Sequence, residues 1–295
     1  MMREFLRHIS LELNRSPQTV KAYKADLRGF NDFLTESGAP TGDTGFFIAS
    51  SVTTADVREW VASLSENGIS PTSIRRKIQS VRAYFKFLVK SGVIKANPAS
   101  AVALPKPPRR LPVIATHSDI ERSIQDARSP LEDIIIEMLY GCGLRRSELI
   151  AIEDTDINFH SGELKILGKG NRHRIMPLPK ALMEKIADWQ KLRDRAYPDL
   201  PFPRPLIAGK HGRISESSLY RIVRAALQGS SAEKKSPHTL RHSFATQLLN
   251  SGADINSVKG LLGHSSLGAT QIYTHLAFSE LNREWTKAHP RAKKK

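Results

Sequence analysis

A chain of 295 residues is long enough for two domains, and 40% apolar with 25% charged content excludes a disordered polypeptide. The net charge of +16 and a pI near 10.1 point to a polyanionic partner, nucleic acid first and an acidic membrane surface second. A single cysteine, Cys142, excludes an internal disulfide and a cysteine-rich zinc site. With no signal-peptide-like start and no run near the ~20 apolar residues of a membrane span, a cytoplasmic location without membrane contact is expected.

Residues 1–92 read as four helices. The first covers Arg3 to Leu13. The second has Ser16 as N-cap, Pro17 at its first position and Gly38 as its stop, with Val20, Tyr23, Leu27, Phe30, Phe33 and Leu34 facing inward. After a soft T-G-D-T-G loop the third runs from Thr54 to Asn67, and the fourth from its Ser70–Pro71 start to Gly92. Ile74, Ile78, Val81, Tyr84, Phe85 and Leu88 form the core face of the fourth helix. Its other face holds Arg75, Arg76, Lys77, Arg82, Lys86 and Lys90 with no acid among them. Such a face is either solvated or laid on phosphates, and Arg75, Arg76, Lys77, Arg82 and Lys86 are the candidate DNA-binding set.

Asn97 to Pro112 contains five prolines in sixteen residues, which excludes a helix or a central strand and marks an extended linker. The expected division is therefore a domain over 1–96, a linker over 97–112 and a second domain over 113–295. Two basic domains joined by such an arm could close around a duplex.

Beyond it, Thr116–Asp119 and Ser129–Pro130 start two helices, and the glycines of G-C-G-L-R-R-S-E-L break the second. Arg145 and Arg146 open a short helix. Arg145 is either a helix-end charge paired with Glu148 or an arginine held at a rigid turn with Glu148 orienting it. Gly162 to Leu178 alternates as an antiparallel hairpin with G-K-G-N at its tip. Lys169 there is either solvated or, between two glycines, able to approach a ligand. A P-loop pattern is absent. Helices follow over Lys180–Tyr197 and Ser215–Leu227, then a polar loop, Gly229 to Ser236, expected to be mobile.

Pro237 to His275 gathers the chemistry. His238 and Arg241 are three residues apart, on one face near a helix start whose N–H groups favour anions. Phe244, Leu248 and Leu249 supply the inward face and Gly252 the stop. A short helix from Ile255 to Leu262 would end at Gly263 and deliver His264. Another would carry Tyr273. A phosphodiester under substitution gains charge on its non-bridging oxygens, which suits arginine and protonatable histidine, and a tyrosine oxygen can be the nucleophile if helped to lose its proton. His238 and His242 lack a plausible third zinc ligand, so no metal site is expected.

In order, G-L-R-R-S-E-L, G-K-G-N-R, H-T-L-R-H-S-F-A-T, L-L-G-H-S and Q-I-Y-T-H closely resemble the tyrosine site-specific recombinases, and within them the Xer-type bacterial recombinases. The resemblance covers almost the whole chain. It implies a mainly α protein, with a four-helix SAM-like core-binding domain and a mostly helical catalytic domain bearing a small antiparallel sheet. It implies that Arg145 and Arg241 bind the scissile phosphate, His238 takes up the nucleophile's proton and His264 donates to a phosphate oxygen. Tyr273 would attack phosphorus to give a 3′-phosphotyrosyl link, and Lys169 would protonate the 5′-oxygen, with no cofactor, metal or ATP. Here Arg145 is followed by a second arginine, so the assignment rests on the Gly-Leu-Arg pattern, with Arg146 facing DNA or solvent. Also implied are double-stranded DNA as partner, a homo- or hetero-tetramer on two DNA sites, and a DNA translocase as activator. Leu276, Phe278, Leu281 and Trp285 would suit docking of the carboxyl-terminal segment into a neighbour, although folding back on its own domain fits the same pattern. The role implied is resolution of chromosome or plasmid dimers. The alternatives are integration of a mobile element and a non-catalytic architectural DNA-binding protein.

Overall fold

The structure is a computed structural model that describes residues 1–105, 113–168 and 173–263, divided into two compact units, Met1–Arg110 and Leu111–Lys295. Lys169, His264, Tyr273 and the carboxyl-terminal docking positions lie outside the described residues.

The first unit holds α1 (Met2–Arg7), continued by a π-helical turn over His8–Glu12, then α2 (Pro17–Glu36), α3 (Thr54–Glu66) and α4 (Pro71–Lys90). Ser16 and Ser70 cap α2 and α4 by accepting the Thr19 and Ser73 N–H groups at 3.3 Å, each followed by proline at the first helical position. Gly38, Gly68 and Gly92 leave the three helix ends with positive φ, which ordinary side chains resist. The core is aromatic: Phe30 meets Trp60 at 4.8 Å between ring centroids, with Phe47, Tyr84 and Phe85 around them. The loop before α3 is fastened to this core, since the Asn31 carboxamide oxygen accepts the Phe47 N–H at 2.8 Å.

The basic face of α4 is partly spoken for within this unit. Arg76 grips Asp26 of α2 with both guanidinium nitrogens, the second at 2.8 Å; Ser80 Oγ donates to the same carboxylate at 2.7 Å and Lys77 lies 3.5 Å away. The acid missing from α4 comes from its neighbour. Arg82 is turned onto the carbonyls of Ala99, at 2.9 Å, and Val102. Arg75 reaches the carbonyl of Pro105 at 3.4 Å, and Lys86 stays exposed. The segment after Asn97, expected as an extended linker, begins as part of this unit, with Ala99 and Val102 buried in its core. Prolines forbid a helix there, but they leave carbonyls free to accept from Arg82.

The second unit is built around α6 (Pro130–Gly141), which is buried on nearly every side by Ile134, Ile135, Ile136, Met138, Leu139 and Tyr140. Against it pack α5 (His117–Gln125), α7 (Arg146–Ala151), α8 (Lys180–Ala196), α9 (Glu216–Ala226) and α10 (Pro237–Asn250), and α11 (Ile255–Leu262) packs on α10. A three-stranded antiparallel sheet joins β1 (Ile157–Asn158), β2 (Glu163–Leu167) and β3 (His173–Pro177) in that order, and a second, two-stranded one pairs β4 (Ala208–Gly209) with β5 (Gly212–Arg213). In the hairpin Leu164 faces Met176 and Ile166 faces Arg174. The proline-rich loop after α8 is held by fully buried Arg193, which donates to Asp154 at 2.6 and 2.8 Å and to the Pro205 carbonyl at 2.8 Å. Among the described residues no helix is long and apolar enough to cross a membrane.

Two local expectations change. The loop Gly229 to Ser236 is anchored: Ser231 donates from N and Oγ to Asp119 at 3.2 and 2.6 Å, Glu233 N–H donates to Val113, and Ala232 is buried. A polar loop is held wherever a buried acceptor awaits its donors. Leu249 is exposed, because Phe244 and Leu248 already occupy the inward stripe of α10.

Arg76→Ala leaves the buried Asp26 carboxylate short of its main partner, and unfolding in urea is expected to show a loss of about 1–3 kcal/mol in the absence of any nucleic acid. A loss below about 0.5 kcal/mol would mean that the pair is not structural.

Candidate active site

Glu148 stands at the centre of the second unit's polar interior, its side chain 4% exposed. It sits in the first turn of α7, one turn after the break made by Gly143, whose positive φ of 56° turns the chain out of α6. One oxygen, Oε1, accepts from Arg145 Nη1 at 2.6 Å and from Arg174 Nη1 at 2.9 Å. The other, Oε2, accepts the Arg145 backbone N–H at 2.8 Å and Arg174 Nη2 at 2.7 Å, and Arg241 Nη1 lies 3.7 Å away. The Arg145–Glu148 pairing common to both readings of Arg145 is present, with Arg145 at the N-cap of α7.

The same arginines clasp three carbonyls. Arg241, on α10, donates to Gly143 O at 2.6 Å and to Leu262 O at 2.5 Å, while Arg145 Nη2 donates to the adjacent Gly263 O at 3.2 Å. Leu262 ends α11 and Gly263 follows it with φ of 63° and ψ of 46°, the left-handed stop expected there. Gly263 is the last described residue before His264. Arg145 and Arg241, far apart in sequence, thus share one carboxylate and two consecutive carbonyls. Arg241 is buried, whereas the Arg145 side chain keeps 31% exposure and can reach a ligand. Three guanidinium groups around one carboxylate leave an excess of positive charge, which is an arrangement for holding an anion.

His238 lies exposed in the first turn of α10, where Ser236 makes no side-chain cap to the backbone. Arg146 pairs with Glu216 of α9 at the surface. Among the described residues no group of histidines, cysteines and carboxylates is disposed to hold a metal ion.

Residues 115–280 match the Phage integrase family, and residues 2–92 match the Phage integrase N-terminal SAM-like domain. The tyrosine recombinase XerC of Chlorobaculum parvum is 36% identical over 319 residues, covering 98% of this chain and 94% of its own length. That of Pelobacter propionicus is 36% identical over 301 residues, covering 99% and 96%. The chain belongs to the phage integrase family, as a Xer-like tyrosine recombinase. Its fold is shared with the Tn1549 transposon integrase in complex with circular intermediate DNA, at a TM-score of 0.69 and 21% identity, covering 96% of this chain and 98% of that one. A lambda integrase tetramer bound to a Holliday junction superposes with a TM-score of 0.67 at 16% identity, covering 92% and 78%.

Burial and neighbouring charge set the protonation of this recombinase's cluster. Burial alone would raise the Glu148 carboxyl, but the hydrogen bonds and charge of Arg174, then the backbone and side-chain hydrogen bonds of Arg145, outweigh it and bring it down to about 2. Burial first, and the charge of Arg145 next, lower Arg241 to about 10, so it stays cationic at neutral pH. Although His238 reaches the surface, partial desolvation of its ring by the protein around it, then the charges of Arg241, Arg145 and Arg146, push it below its ordinary 6.5, toward the neutral form that can accept a proton.

Arg174 was not among the residues singled out in the sequence. The signal was present: alternation along β3 puts Arg174 on the same face as buried Met176, and a cation on the inward face of a strand needs a partner. Lys169, which falls in sequence between β2 and β3, lies with His264 and Tyr273 outside the described residues.

Gly143 is indispensable to this geometry. A Cβ there would meet Phe244 ring carbons at 2.4 and 2.7 Å and Leu262 at 3.0 Å. Gly143→Ala is expected to cost about 2–4 kcal/mol in thermal or urea unfolding through overpacking and backbone strain; an unchanged midpoint would contradict it.

Proposed function

We propose that the arginine cluster receives the scissile phosphate of a DNA strand, and that this recombinase cuts and rejoins DNA at a specific site through a 3′-phosphotyrosyl intermediate. Arg145 and Arg241 hold the non-bridging oxygens and offset the charge that builds on them in the transition state. Tyr273 gives up its phenolic proton to His238 while its oxygen attacks phosphorus. The bond to the 5′-oxygen breaks, and Lys169 supplies the proton that this leaving oxygen needs. His264 donates to a phosphate oxygen. The covalent bond conserves the energy of the phosphodiester, so a new 5′-hydroxyl can reverse the step and exchange strands.

What supports this reading above all is the sharing of Glu148 and of the Leu262 and Gly263 carbonyls by Arg145 and Arg241, at the point from which the chain continues into His264. Near full-length similarity to XerC recombinases supports resolution of chromosome or plasmid dimers as the role, carried out by a tetramer on two double-stranded sites in the cytoplasm. In the first unit, Arg75, Lys86 and the exposed part of Arg76 are the candidate cations of α4 for phosphates, by their exposure alone.

On a nicked suicide duplex the wild type is expected to form a covalent protein–DNA adduct, seen as a band shift that survives denaturation. Tyr273→Phe abolishes it, and Arg145→Ala slows it by about 10²–10³. An adduct that persists in Tyr273→Phe would sink the assignment.

His238 as proton acceptor must be neutral, so first-turnover cleavage should fall as pH drops through its depressed value, below 6.5. Arg146→Ala removes one of the repelling cations and should move that acidic limb upward, toward 6.5. A limb that starts above 6.5, or that ignores Arg146, would exclude His238 from the role.

A further inference from the structure

We propose that Arg174 is a positioning residue for this reaction. By balancing the charge of Glu148 it leaves Arg145 and Arg241 net cationic toward the phosphate, and it ties β3 to the helix that carries Glu148. The proposal rests on the recombinase reading above.

A buried carboxylate balances about one positive charge, and the question is which arginine it balances. Arg174 presents both terminal nitrogens to the two Glu148 oxygens, at 2.9 and 2.7 Å, in the planar fork-to-fork geometry that makes such pairs strong. Arg145 meets the carboxylate with one side-chain nitrogen and its backbone N–H, and Arg241 comes only to 3.7 Å. The two arginines assigned to the phosphate are thus oriented by Glu148 but not neutralised by it. Without Arg174, the carboxylate would turn its full charge on Arg145 and Arg241 and compete with the DNA for them.

Among the described residues, the hydrogen bonds and ion pair of Arg174 all go to Glu148. Its side chain is 12% exposed, and its Nε is buried with no hydrogen-bond partner among the described residues, so a cost in desolvation is accepted to aim the fork at Glu148. Its Cδ and Nη1 lie 3.4 Å from where a Cβ would project at Gly263, the residue whose carbonyl takes Arg145. It pairs with Ile166 of β2, and Lys169 falls in sequence between these two strands. One side chain therefore links β3, the Glu148 helix and Gly263 at the end of α11.

The test is first-turnover cleavage, with DNA affinity measured in parallel, on a nicked duplex carrying the site at which the wild type is trapped. Arg174→Lys keeps the charge but loses the fork, and a loss of about tenfold in rate is expected with affinity little changed. Arg174→Met should lose about 10². The decisive arm is Glu148→Gln added to Arg174→Met: removing the surplus negative charge should restore about tenfold of the lost rate, which a purely structural arginine would not permit. Thermal unfolding accompanies each variant, and Arg174→Lys decides the matter if Arg174→Met does not fold. Wild-type rates in Arg174→Lys, or no recovery on adding Glu148→Gln to a folded Arg174→Met, would overturn the proposal alone. Absence of any adduct from the wild type would overturn the recombinase reading and the proposal with it.

Discussion

A carboxylate taken out of water must be met by donors on every lone pair or it does not stay ionised. Glu148 is met by two guanidinium groups and a backbone N–H, and it stays ionised far below the ordinary carboxylate range. That requirement brings three arginines from three separate elements, the α6–α7 break, β3 and α10, to within a few ångströms of one point. Like charges do not gather spontaneously in a protein interior. The negative ends of the arrangement, one carboxylate and the carbonyls of Gly143, Leu262 and Gly263, are what make the gathering stable before any phosphate arrives.

The rest of the second unit serves to hold those negative groups still. α6 is buried almost all round, and Lys185 of α8 pairs with its Asp133 and Glu137, so its axis is fixed. Its exit at Gly143 cannot carry a side chain because Phe244 and Leu262 fill that space. The end of α11 is set by the left-handed Gly263, and its last carbonyls point at the arginines. Phosphate recognition is built into the ends and breaks of helices, while their middles provide rigidity.

The first unit repeats the device on a smaller scale. Asp26 draws Arg76, Lys77 and Ser80 of α4 to one place, and Arg82 is drawn to the carbonyls of the following segment. These cations looked uniformly available for DNA when α4 was read alone. Acids and carbonyls from other parts of the chain occupy several of them, and helix periodicity carries no information about those.

What the sequence determined by itself was local. Ser16–Pro17, Ser70–Pro71 and the Thr116–Asp119 capping box marked helix starts, and Gly38, Gly92 and Gly263 marked ends, because caps and left-handed turns are decided by residues within one turn of each other. The spacing of Arg145 and Glu148 was likewise enough to suggest their pairing. Tertiary structure decided the rest: that Arg174 belongs to the same cluster, that Asp26 claims Arg76, that Ser231 is pinned by Asp119 and that Leu249 faces out. Each of these depends on a partner brought in by the packing of distant segments. Burial turns such a meeting from optional to obligatory, and burial is a property of the folded whole.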